Sequence, residues 1–145
     1  MKFKMRVLHY APGGNADNLS AAIARTQETT CDQIPPAYNC ENEKLAIICA
    51  EVGKKADEKL VNFVNHLTSA RVKNIAFLTV SSASPEAAKA AIAPLKDMAE
   101  KNNIHVLDDI FQCTVKGGLF KKGKVTQADI ENAVDWADKI VNSLV

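Results

Sequence analysis

The residues best placed to do chemistry form one run, Ala11-Pro12-Gly13-Gly14-Asn15-Ala16. It follows an apolar stretch, Phe3 to Tyr10, and precedes a segment with Leu19, Ala22 and Ile23 on one helical face, so it is a strand-to-helix turn. Two adjacent glycines let the backbone curl until successive N–H groups point inward. Together with the positive end of the following helix, such a nest attracts phosphate. A tight turn of this kind also uses glycine for geometry alone, and Asn15 or Asp17 can cap the helix and take the same donors. Both readings stand on these residues.

The remaining reactive residue types are scattered. His9 closes the first strand and either contacts a ligand or is a half-buried histidine satisfied by backbone. Asp108 and Asp109 are neighbours on a strand pattern, where alternate side chains leave on opposite faces, so they cannot share one site. Lys116, Lys121, Lys122 and Lys124 surround the Gly117-Gly118 turn and read as a solvated loop or as a docking patch for an acidic partner. The four cysteines lack the close pairing of a zinc site. Cys49 lies in an apolar run, while Cys31 and Cys40 flank a Pro-Pro segment near enough to meet; reduced structural thiols are the expectation. His66 and His105 are isolated, no nucleophile–base pair can be placed, and Trp136 fits the packed side of the last helix.

The elements that must position the turn follow from apolar spacing. Candidate strands are Phe3 to Tyr10, a short one at Cys31 to Ile34, Lys44 to Ala50, Lys73 to Val80, and Ile104 to Val115. Helical patterns follow the first turn and cover Lys55 to Leu67, the segment from Pro85 to about Lys101, and the C-terminal stretch after Thr126. Ser84 before Pro85 is a helix start, Thr126 with Asp129 resembles a capping box, and Pro94 predicts a kink or break. At 145 residues, 47% apolar and 24% charged, the chain is of single-domain size and folded composition. A net charge of +1 gives no electrostatic case for nucleic acid or an anionic membrane surface. No run approaches the roughly 18 apolar residues of a membrane helix, and the N-terminus has no signal-like core, so a cytoplasmic protein is expected.

Alternating strands and helices imply an α/β fold: a five-stranded parallel sheet in the order 2-1-3-4-5, sandwiched by helices in three layers, formed by residues 1–145 as one domain. In such sheets ligands bind beyond the carboxyl ends of the strands, where strand order reverses. That rule selects the loops 11–17, 51–54 and 81–84.

On those residues the chain resembles the short-chain flavodoxins. They carry a hydroxyl-rich turn, Ser/Thr-x-Thr-Gly-Asn-Thr, after the first strand, and here Gly14-Asn15 matches its Gly-Asn, with Ala22-Ile23-Ala24 following in the first helix. Asp129 to Ala137 is similar to their closing helix. The resemblance implies noncovalent FMN, its phosphate on the backbone of Ala11, Pro12, Gly13, Gly14, Asn15 and Ala16. It further implies a flavin ring bordered by Val52 and Gly53, with Ser81 and Ser82 at its polar edge. The activity implied is electron transfer with a redox partner protein rather than bond-making catalysis. The departures are concrete: Ala11, Gly13 and Ala16 stand where the family has hydroxyls, and no aromatic occupies 51–54 or 81–84. Those departures support an alternative, a flavin-free binding or regulatory module acting through a protein partner.

Overall fold

The computed structural model of the protein describes residues 3–116 and 123–145. The Gly117-Gly118 turn and Lys121 and Lys122 lie outside the described residues. Elements run β1 (Met5–Tyr10), α1 (Ala16–Thr26), β2 (Cys31–Gln33), β3 (Glu43–Glu51), α2 (Glu58–Asn65), β4 (Val72–Ser81), α3 (Pro85–Lys101), β5 (His105–Val106), β6 (Phe111–Thr114) and α4 (Gln127–Leu144). All strand pairs among the described residues are parallel, in the order β2-β1-β3-β4, with β5 and β6 both against the far edge of β4. Because β5 and β6 share one position, the sheet has the expected 2-1-3-4-5 plan.

The fifth position is where the sequence reading needs correction. Ile104 to Val115 reads as one strand, but pairing stops after Val106 and resumes at Phe111. Asp108 and Asp109 lie in the gap and are both exposed, with Asp108 3.3 Å from the Lys96 ammonium. A continuous strand covered on both faces would bury one of these carboxylates, at a cost of several kcal/mol. The chain loops outward instead.

Strand alternation separates two cores. On β3, Leu45, Ile47 and Cys49 face α1 and α4, packing with Leu19, Ile23, Ala137 and Ile140. Ala46, Ile48 and Ala50 face the other way, toward Leu60 and Val64 of α2 and Leu95 of α3. Fully burying such side chains contributes about 1.5–3 kcal/mol each. Trp136 belongs to the α4 side, buried with its ring 5.8 Å from that of Phe111. Its indole N–H has no hydrogen-bond partner among the described residues.

The helix ends follow local chemistry. Ser84 accepts the Ala87 N–H ahead of Pro85, and Thr126 with Asp129 forms the reciprocal capping box. Asp57 accepts the Lys59 N–H, which sets the start of α2 three residues beyond Lys55. Pro94 does not break α3, which runs unbroken from Pro85 to Lys101 with Pro94 on its exposed side.

Candidate functional site: an anion nest filled by Glu51

The turn after β1 is built by backbone. Gly14 adopts φ +74°, which an L side chain would strain, and its N–H bonds the Ala11 carbonyl at 3.1 Å. Asn15 occupies the N-cap position of α1 yet makes no cap bond with its side chain. Its amide is spent elsewhere: Nδ2 donates to Gly123 O at 2.9 Å, and Oδ1 accepts the Val125 N–H at 3.1 Å. Asn15 is therefore a buried clamp between the first turn and the approach to α4.

The N–H groups of the nest have a partner. Gly13 N–H donates to Glu51 Oε1 at 2.6 Å, and the Asn15 and Ala16 N–H groups both donate to Glu51 Oε2 at 2.9 Å. A carboxylate thus sits at the positive end of α1 and engages both oxygens in charge-assisted bonds. Neither Asn15 nor Asp17, the capping candidates from sequence, fills this role. Asp17 instead has one buried oxygen, Oδ1, without a hydrogen-bond partner among the described residues.

Glu51 falls in the loop 51–54 that the sequence selects but is not among the binding residues nominated there, and strand parity is the signal that identifies its role. It ends β3 in phase with Leu45, Ile47 and Cys49, which face α1. The β1–β3 register pairs Tyr10 with Ala50, so the next residue on β3 lies beside the start of the turn. Gly13 makes the approach feasible, since a β-carbon there would stand 2.6 Å from Glu51 Oε1.

The other nominated residues are distributed around this contact. Ala11 is half-buried, Pro12 and Gly13 are exposed, and Ala16 is buried. Val52 does not present a face to a ligand: it is 8% exposed, packs into the α2–α3 core, and its N–H bonds Val80 O at 3.0 Å. Gly53 lines an open cavity of 720 Å³ with Tyr10, Pro12, Glu51, Asp57 and Val61. Ser81 is buried and its hydroxyl accepts the Ala83 N–H at 3.0 Å, whereas Ser82 is exposed. The loop after β4 is only residues 82–84 before α3 begins.

At the cavity rim Tyr10 and Asp57 bond through their side chains. The Lys59 N–H first, and then the Tyr10 hydroxyl, hold the Asp57 carboxyl below its usual range. The Tyr10 phenol is pushed up by desolvation first and then by its bond to Asp57. His9 is half-buried, and its ring contact is to a side chain rather than to backbone: Nδ1 lies 3.4 Å from Cys31 Sγ, which is 2.9 Å from Ser20 Oγ. No spacing in the sequence reveals that pair, because it depends on the β1–β2 register. Burial pushes the Cys31 thiol up, which disfavours a nucleophilic thiolate.

Cys31 and Cys40 do not meet. Cys31 packs on the α1–α4 side and Cys40 in the opposite core, and all four cysteines are free. Among the described residues no group of His, Cys, Asp and Glu is placed to hold a metal ion, and no helix is long and apolar enough to cross a membrane.

The fold matches solved structures over nearly the whole chain. It is flavodoxin-like. A flavodoxin of Streptococcus pneumoniae TIGR4 superposes with a TM-score of 0.72 at 10% identity, covering 96% of this chain and 98% of that one. Flavodoxin 1 of Bacillus cereus gives 0.68 at 17% identity over 98% and 99% of the two chains. A Fusobacterium nucleatum flavodoxin bound to flavin mononucleotide gives 0.64 at 12% identity over 96% and 97%. No family model and no curated protein matches the sequence.

Proposed function

We propose that this protein is a flavodoxin-fold binding module that works without a resident flavin and acts through a protein partner. The observation that carries the reading is the Glu51 carboxylate on the Gly13, Asn15 and Ala16 N–H groups. Those are the donors to which the family resemblance assigns the FMN phosphate. A phosphate monoester brings about −1.5 to −2 charges at neutral pH. It cannot share three donors with a carboxylate already bonded to them. As arranged here, the turn does not fit FMN.

The ring end gives the same answer. Val52 is committed to the core and the Ser81 hydroxyl to its own loop, and residues 82–84 hold no aromatic to stack on a flavin. Titration of the purified protein with FMN, followed by flavin fluorescence, tests the reading. No saturable binding up to about 100 μM is expected, and saturable binding within that range overturns the reading.

A second reading has its own support. The turn keeps the left-handed Gly14, and one neighbour of the same fold is a flavodoxin bound to FMN. On that reading the protein is an electron carrier that binds FMN noncovalently after Glu51 moves aside, and it exchanges electrons with a redox partner. Saturable FMN binding in the same titration selects it.

A further inference from the structure

The turn differs from the flavodoxin pattern in two ways, by hydroxyls it lacks at Ala11, Gly13 and Ala16 and by a carboxylate it gains from Glu51. We propose that the gained group decides the matter: Glu51 is an internal anion that excludes phosphate monoesters, and removing its carboxylate opens the turn to them. This deepens the flavin-free reading and rests on it for the view that the turn is self-occupied.

Three observations support the assignment. First, the donors are all backbone N–H groups, so lost hydroxyls leave them in place, and truncating Glu51 frees Gly13, Asn15 and Ala16 together. Second, the turn is held without Glu51. Gly14 N–H bonds Ala11 O, Asn18 N–H bonds Asn15 O, and Asn18 Nδ2 donates to Gly14 O at 3.0 Å. The Asn15 amide anchors the far side on Gly123 and Val125. Third, Glu51 reaches the turn from another strand, and its Oε1 lies where only a glycine at position 13 leaves room. Asp17 in the first turn of α1 adds a negative charge nearby, which sets a ceiling on phosphate affinity in any variant.

The test uses inorganic phosphate as the probe, at constant ionic strength, with the backbone amides of Gly13, Asn15 and Ala16 followed by NMR. In Glu51→Ala these amides should shift saturably, with an affinity at least about tenfold tighter than in the wild type. Ala11→Ser, which restores a hydroxyl while keeping Glu51, should gain nothing. The inference is overturned if folded Glu51→Ala leaves those amides unmoved by phosphate, if it titrates like the wild type, or if Ala11→Ser alone recovers binding. Should Glu51→Ala not fold, Gly13→Ala serves in its place, since the new β-carbon dislodges the carboxylate without removing it, and the same outcomes decide. Wild-type FMN binding would overturn the flavin-free reading and this inference together, whereas a wild type that binds no FMN beside a folded Glu51→Ala that gains no phosphate would overturn this inference alone, so the two failures are told apart.

Discussion

A β-carbon on Gly13 would stand 2.6 Å from Glu51 Oε1, so alanine at 13 and the carboxylate cannot keep their places together. Gly13 lies outside the left-handed region, and the clash is with the tip of a side chain, so the carboxylate is what must move. Gly13→Ala should therefore break the contact at modest cost. Losing charge-assisted bonds is offset in part by the reduced freedom of the unfolded chain, for a net loss of about 1 kcal/mol in urea unfolding. The amide resonances of Asn15 and Ala16 should move at the same time. Unchanged resonances would show that the carboxylate is not held there. Asn15→Ala tests the clamp on the opposite side. It leaves Gly123 O and Val125 N–H without their partner, and the expected loss is about 1–3 kcal/mol. Asn15→Asp should lose more, because it keeps the acceptor for Val125 but buries a charge that faces the Gly123 carbonyl oxygen beside Glu51. Equal losses in the two variants would contradict the bonding pattern.

Among the elements, α3 carries the clearest local flaw. Pro94 lies inside a continuous helix, exposed, where it withholds an N–H from the ladder and crowds the preceding turn. Pro94→Ala should stabilise the protein by about 1–3 kcal/mol and raise Tm by about 3 °C or more. A lower Tm would mean that the helix has been shaped around the proline. This helix also shows what sequence can and cannot reveal. Ser84, Pro85 and the apolar spacing through Ala99 place its ends and its buried side, because capping and periodicity are local properties. The break between β5 and β6 was hidden, since Ile104, Val106, Ile110 and Phe111 look continuous and the cost of burying Asp108 or Asp109 appears only once both faces of β4's neighbour are covered. The site divides in the same way. Gly14 marks the turn by its own conformational need, a left-handed φ, whereas Gly13 and Asn15 matter through the distant groups they meet. Glu51 is assigned to that turn only by the β1–β3 register, and the Asn15 clamp joins residues more than 100 positions apart. The His9–Cys31 contact is likewise a product of strand pairing.

Across the whole molecule the cysteines give the two cores a common dependence on pH. Cys49 and Cys113 pack under α1 and α4, Cys40 lies in the α2–α3 core, and Cys31 borders the first of these. Burial raises all four thiols above their ordinary 9.0, Cys113 to about 12 and Cys49 further. Above about pH 9 the unfolded chain releases these protons while the folded chain keeps them. The unfolded state then binds fewer protons, so stability falls as pH rises. The contribution is intact below pH 9 and is lost progressively toward the folded values. For a fully buried thiol such as Cys49 the slope approaches about 1.4 kcal/mol per pH unit. Urea midpoints from pH 8 to 10.5 should decline more steeply for the wild type than for Cys49→Ala, because lysine and tyrosine ionisation is common to both. Parallel lines would sink the argument. Native alkylation checks it by a separate route: iodoacetamide at pH 8 should modify Cys31, the half-buried thiol, well before Cys40, Cys49 and Cys113, which are buried. If all four react together, the two cores open on the alkylation timescale, and the alkaline slope must then be assigned to surface groups instead.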